Sequence, residues 1–413
     1  MGPSGKKDDS GLSTTHMLHI VFYFQVHQPY RLRPYSVLDI GQNLNFFDED
    51  LNRAVIRKVG EKCYLPANQL IKELIERYEG AFKVAYSITG VVIEQFRAYY
   101  PEVLDSFKEL ARTGCVEFLG ETYYHSLAFQ FDKAEFLSQI RMHRKLMMDE
   151  FGFRPVVFRN TELIYQDQLA DSLEEEEGFQ VILAEGAEKI LKWRSPLYAY
   201  RTYNHRFFLL LKYYSLADDI AFRFSNRAWS EFPLTTEKFI YWLSKLSLVE
   251  KGRRNLFVNL FMDYETFGEH QWKETGIFEF MRHLPEKVFD SPNLSFAWPS
   301  DVPQMMDYSP EALSYPQPVS WADTERDLSA WLENDLQFNA CETYYEILSE
   351  IQSRGRSDLL EIARKLSTSD HFYYMCTKYF QDGDVHKYFS PYQSPEQAYM
   401  FYMNALAGLR ERL

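Results

Sequence analysis

The chain has 413 residues, 46% apolar and 17% aromatic, with a formal net charge of −14. This length fits one α/β barrel with a smaller appended unit, and the acidic balance argues against nucleic acid, whose phosphates are bound by clustered Lys and Arg. No run approaches the roughly 18–20 apolar residues that span a bilayer. Cys63, Cys115, Cys341 and Cys376 are dispersed without a CxxC pair, which excludes a zinc ribbon or dense disulfide framework and reads as four reduced, buried thiols in a cytoplasmic protein.

Residues 1–16 lack an apolar signal-peptide core and read as an expression leader ending at a His-Met junction, so the native chain is taken to start at Met17. Short apolar runs then alternate with longer amphipathic segments. Strands are predicted at 18–26, 82–88, 115–119, 156–159, 180–184, 207–214 and 256–262, with an eighth candidate at 294–298. Helices are predicted at 66–79, 101–113, 133–150, 167–177 and 236–249, several closed by Gly80, Gly114, Gly152 and Gly178. Seven or eight βα units favour a closed or nearly closed parallel barrel. The alternative, an open doubly wound sheet, usually carries a GxGxxG or Walker sequence, and neither is present. After residue 300 a Pro-rich stretch (299–318) leads to Ser320-Trp321-Ala322-Asp323 and to helical patterns at 325–353, 356–366 and 394–412. The predicted organisation is a barrel over 17–305 and a C-terminal helical bundle over 306–413 that contributes to the active-site cleft.

Polar residues fall at the C-terminal ends of the predicted strands. His27 and Gln28 follow the first, Glu121 the third, Glu162 the fourth, Glu185 the fifth, and Asp263 and Glu265 the seventh. In a βα barrel that face carries the active site. Carboxyl groups gathered there raise one another's pKa, so one can stay protonated and act as an acid beside an ionised partner. Two such groups flanking a glycosidic bond suffice for hydrolysis, with no cofactor. No HExxH or closely spaced helical His pair points to a metal, and none is assigned.

Four segments, Phe24-Gln25-Val26-His27-Gln28-Pro29, Cys115-Val116-Glu117-Phe118-Leu119, Phe158-Arg159-Asn160-Thr161-Glu162-Leu163-Ile164-Tyr165 and Met262-Asp263-Tyr264-Glu265-Thr266-Phe267-Gly268-Glu269-His270, occur in the order found in glycoside hydrolase family 57. The resemblance covers residues 18 to about 340 and is greatest to the α-amylase-like members. It implies an incomplete, TIM-like (β/α)7 barrel and a retaining enzyme, with Glu162 forming the glycosyl-enzyme and Asp263 serving as acid/base.

Further substrate-binding candidates are His27, Gln28, Glu117, His125, Glu265, His270, Asp323 and the stacking platforms Trp229, Trp321 and Trp331. Each has a structural alternative: a core histidine for His27, a buried carboxylate paired with Arg for Glu117, and packing for the tryptophans. The expected activity is cleavage of α-1,4-glucosidic bonds in glycogen, starch or maltooligosaccharides with retention. A 4-α-glucanotransferase using the same carboxylates, a metal-dependent carbohydrate deacetylase and a non-catalytic α-glucan-binding protein are the rival readings. The sequence does not decide the oligomeric state.

Overall fold

A computed structural model describes residues 17–249, 255–378 and 383–413; the predicted leader lies outside them. Seven strands, β1 (Met17–Val26), β2 (Val84–Ile88), β3 (Val116–Phe118), β4 (Val157–Arg159), β5 (Val181–Glu185), β6 (Phe208–Lys212) and β7 (Asn255–Asp263), correspond to the first seven predicted. All neighbours are parallel, and the ring closes through a Gly120–Phe158 bridge between β3 and β4 and through β7 pairing with β1. The molecule is therefore the (β/α)7 barrel expected. The eighth candidate forms a short strand, Leu294–Phe296, that pairs with Leu18–Ile20 of β1, whereas β2 pairs with Tyr23–Val26. Since β7 occupies the other edge of β1, this strand sits below β2 and does not add a stave.

Both faces of the barrel strands are buried, which is why they read as nearly continuous apolar runs. The two-residue period still sorts them. Val21 and Tyr23, Ala85, Leu119, Val157, Leu183, Leu210 and Phe261 form one interior cluster, while Ile20, Phe22 and Phe24 face the helices. Two residues further along each strand direction, the same parity brings Gln25, Ser87, Glu121, Arg159, Glu185, Lys212 and Asp263 to the interior. Every stave thus ends in one polar side chain above an apolar fill.

The predicted helices appear at Leu65–Arg77, Pro101–Arg112, Lys133–Phe151, Asp167–Leu173 and Thr236–Val249. The four glycines predicted to close helices all have positive φ, and Gly152 caps its helix directly. Gly90–Tyr99 is an additional helix that its Val-Val-Ile start obscures, because β-branched residues favour strands; the Thr89 side chain accepts the Val92 N–H and starts it.

The C-terminal part differs from expectation at one point. Residues 325–334 form turns, and the helix begins only at Asp335, where the Asn334 side chain accepts the Gln337 N–H at 2.9 Å. Helices Asp335–Ser353, Ser357–Lys365 and Pro395–Arg410 follow, with shorter ones at Ser369–Tyr373 and Gly383–Phe389. This part docks on the barrel through buried Glu135, which takes two 2.8 Å hydrogen bonds from Arg364, and through the Ser369 N–H donated to the His125 carbonyl at 2.9 Å. All four cysteines are free; Cys115 is half-buried and the other three are buried. Among the described residues no helix is long and apolar enough to cross a membrane.

Candidate active site

Above the polar ends of the strands lies a cavity of about 620 Å³. Glu162, Asp263, Glu265, His27, Gln28 and His125 line it, and so do His270, Trp321 and Asp323. Strand ends and the loops after them place these side chains on one face, except Trp321 and Asp323, which come from the segment between the barrel and the Asp335 helix.

Glu162 follows β4 in a single turn, Thr161–Leu163, where it has φ +56° and Leu163 has φ +51°. Consecutive non-glycine residues in this region cost roughly 1–3 kcal/mol each and persist only where the surroundings enforce them. Here Trp321 and His125 do so. The Trp321 N–H donates to the Glu162 carbonyl at 3.2 Å and its indole Nε1–H donates to Glu162 Oε2 at 2.6 Å, while His125 Nε2 meets Oε1 at 3.0 Å. Burial pushes the Glu162 carboxyl up, but the hydrogen bond and charge of His125 and the charge of Arg159 outweigh it, leaving the pKa below its usual value. Glu162 is an anion with both oxygens oriented.

Asp263 ends β7 in register with Gln25 of β1. Among the described residues its carboxyl makes no side-chain hydrogen bond, and burial followed by the nearby Glu162 charge raises its pKa. Glu265, one turn on, accepts from the Tyr64 hydroxyl and, at 3.3 Å, from Gln28 Nε2; burial and then Asp263 raise its pKa as well. The site therefore combines one carboxyl whose pKa is lowered with two whose pKa is raised.

His27 is held by Thr89 and Asp370, each at 2.9 Å, and stacks on His125 with ring centres 4.0 Å apart. Burial and the neighbouring His125 lower its pKa. His270 lies edge-on to Phe389 and is brought to about 4 by burial, so it is neutral. Asp323 reaches the cavity, but its carboxylate is occupied by Lys378 at 2.9 Å and His386 at 3.1 Å.

Three candidates are not in this cavity. Glu117 sits lower in the barrel, where it accepts the Ser300 N–H at 3.2 Å and burial raises it to about 7. Trp331 is 1% exposed and packs near Tyr373, because residues 328–332 turn inward ahead of the Asp335 helix. Trp229 lies on a separate surface cleft, packed edge-on to Trp242 with Arg223 over its ring. None of the three is positioned to touch a ligand beside Glu162.

Sequence reasoning missed Arg159, Lys212, Asp370 and Tyr373. Arg159 is fully buried, with its guanidinium 5.1 Å from the Trp321 ring centre; Lys212 lies 5.3 Å from the same centre. The two-residue strand period points to both. Asp370 and Tyr373 belong to the C-terminal part and carry no such signal. Among the described residues no group of three His, Cys, Asp or Glu side chains is arranged to hold a metal ion.

Comparison with known proteins adds lineage to this geometry. The model of glycosyl hydrolase family 57 matches residues 21–317. A protein of Methanocaldococcus jannaschii named as a candidate α-amylase is 43% identical over 402 residues, spanning 94% of this chain and 83% of that one. The family-57-type branching enzyme of Pyrococcus horikoshii superposes with a TM-score of 0.67 at 16% identity, covering 90% of this chain and 86% of the other. An α-amylase of Thermotoga maritima gives 0.60 at 13% identity, covering 94% and 92%. The structural likenesses at such low identity speak for the fold, whereas the family match across the barrel and the relative aligned along nearly the whole chain establish descent: the protein is a member of glycosyl hydrolase family 57.

Proposed function

We propose that the protein cleaves α-1,4-glucosidic bonds in α-glucans or maltooligosaccharides with retention of configuration, using Glu162 as nucleophile and Asp263 as acid/base. The observation that carries this reading is the opposed ionisation of the two carboxyls in one cavity, Glu162 held down by His125 and Asp263 pushed up by burial and by Glu162 itself. Protonated Asp263 donates to the departing glycosidic oxygen as the Glu162 carboxylate attacks the anomeric carbon. Esterification removes the Glu162 charge. Asp263, having given up its proton, then stays ionised and is available to take one from the incoming water. The Trp321 ring beside Glu162 offers a face for a glucosyl ring.

Transfer to a second sugar, as in a 4-α-glucanotransferase, begins from the same glycosyl-enzyme, so incubation with maltoheptaose separates the two. Shorter sugars alone indicate hydrolysis; products longer than the substrate indicate transfer. The roles are tested by anion rescue. Glu162→Ala with azide is expected to cleave an activated α-glucoside to the azide of inverted configuration, and Asp263→Ala with azide to give the retained one. Exchanged stereochemistry reverses the assignment, and wild-type rates in both variants refute it. In the wild type kcat/KM falls on the acid side as Glu162 is protonated and on the alkaline side as Asp263 loses its proton.

A further inference from the structure

In the polar layer that ends the strands, Glu121 is 0% exposed and cannot meet a substrate, yet it is connected to Glu162 through a single side chain. Its Oε1 accepts from the Ser87 hydroxyl and, at 3.3 Å, from Gln25 Nε2, while Oε2 faces His125 Nδ1 at 3.3 Å. The other ring nitrogen of His125 faces Glu162 Oε1 at 3.0 Å. We infer that Glu121 is a positioning residue: by holding His125 as an imidazolium it fixes Glu162 as an oriented anion facing the substrate. The inference rests on the reading of Glu162 as nucleophile.

The argument begins with donor count. A neutral imidazole has one N–H and one lone pair, so between two carboxylates it would set a lone pair against an oxygen; only the doubly protonated ring satisfies both contacts. The residue is anchored through its backbone and one ring face. The His125 backbone has φ +53°, its carbonyl takes the Ser369 N–H, and its ring stacks on His27. Arg159 lies 3.6 Å from Glu121 and opposes a charge on His125, so Glu121 both supplies the counter-charge and screens that opposition. Burial pushes His125 down, but the hydrogen bonds to Glu121 and Glu162 prevail and bring it to about 9. The remaining groups facing the pair are Tyr23, Asp263, Asp370 on the C-terminal part, and His143, whose Nδ1 accepts the Glu121 N–H at 3.4 Å and whose Nε2 faces the Ile88 carbonyl at 2.8 Å. Burial lowers His143, so it adds no standing charge.

Glu121→Gln keeps the shape and removes the charge. With His125 no longer held charged, Glu162 binds its proton more readily, so the acid limb of kcat/KM on an aryl maltooside moves to higher pH. Activity at the foot of that limb falls at least tenfold and recovers toward wild type as pH rises; kcat drops more than KM changes, and Glu121→Asp restores part of it. An acid limb that stays in place, with any loss uniform across pH, overturns the inference. A second measurement needs no change at Glu121. In the ¹⁵N spectrum of histidine-labelled wild type, with His125 assigned through His125→Gln, both ring nitrogens are expected to be protonated at pH 7.5, and a neutral ring overturns the inference. The two failures are separable. A wild-type rate in Glu162→Ala removes the nucleophile assignment and this inference with it; an unmoved limb in Glu121→Gln, with Glu162→Ala inactive and rescued by azide, removes this inference alone.

Discussion

Glu117 and Glu121 lie four residues apart along the same stave, point to the same barrel interior and are 2% and 0% exposed, yet they end in opposite states. Burial pushes both carboxyls up. Glu117, with the Ser300 N–H as its hydrogen-bond partner, stays at about 7; Glu121, despite deeper burial, is drawn to about 2 by the hydrogen bond of His125 and the charges of Arg159 and His125. The barrel thus has two carboxyl environments stacked one above the other. The lower one holds a carboxyl that keeps its proton up to about neutral pH, and the upper one is an ion network that ends at Glu162. Low dielectric alone explains neither state; the number and charge of the donors decides.

The largest expected effect is on the upper network. Glu162→Gln neutralises the proposed nucleophile and should lower kcat on maltoheptaose roughly 10⁴-fold; a loss under tenfold would take the network out of the chemistry. Next comes stability. At pH 5 Glu121→Leu leaves Arg159 buried without its counter-ion and should cost about 3–5 kcal/mol in urea unfolding. Glu117→Leu, which at that pH removes a neutral acid, should stay within about 1 kcal/mol and leave kcat unchanged. Equal losses would collapse the contrast between the two glutamates.

Smaller still is Trp321→Phe, which keeps a ring but deletes the indole N–H bound to Glu162 Oε2. A hydrogen bond to a charged group is worth about 1.5–3 kcal/mol, so kcat should fall roughly 10- to 100-fold with the fold intact. The last effect is a pH dependence. The pKa of Glu117 is raised from about 4.3 in the unfolded chain to about 7 in the folded one. Its contribution is therefore fully present below pH 4 and is lost as pH rises through 7. Glu117→Gln, which cannot ionise, should gain about 2–3 kcal/mol on wild type between pH 5 and pH 8 in parallel denaturant titrations.

The contrast between Trp321 and Trp331 shows where sequence reading stops. Both follow the Pro-rich stretch, ten positions apart, with similar small and acidic neighbours. One donates to Glu162 while the other is buried with its Nε1 unpaired. Nothing local separates them, because the path of residues 321–334 is set by packing against the barrel and the C-terminal helices. Asp370 is a stronger case: its contact with His27 spans 343 positions, and no periodicity reaches that far. Glu117 was plausible as a sugar contact on strand assignment alone; its depth in the barrel depends on how β3 is staggered against its neighbours.

The sequence by itself located the seven staves together with an eighth candidate that only the structure removed from the ring, since strands buried on both faces must be continuously apolar, and it determined that Glu162 and Asp263 stand at stave ends, since polar residues break those runs. Its two-residue period also contained the inward layer of Gln25, Ser87, Glu121, Arg159, Glu185, Lys212 and Asp263. Only the tertiary structure decided which of these charges meet, that His125 lies between two glutamates, and that the pKa of Asp263 is raised while that of Glu162 is lowered. Ionisation in a low-dielectric interior depends on donors and charges within a few ångströms, and the chain brings those together from β1, β3, β4, β7 and the C-terminal helices.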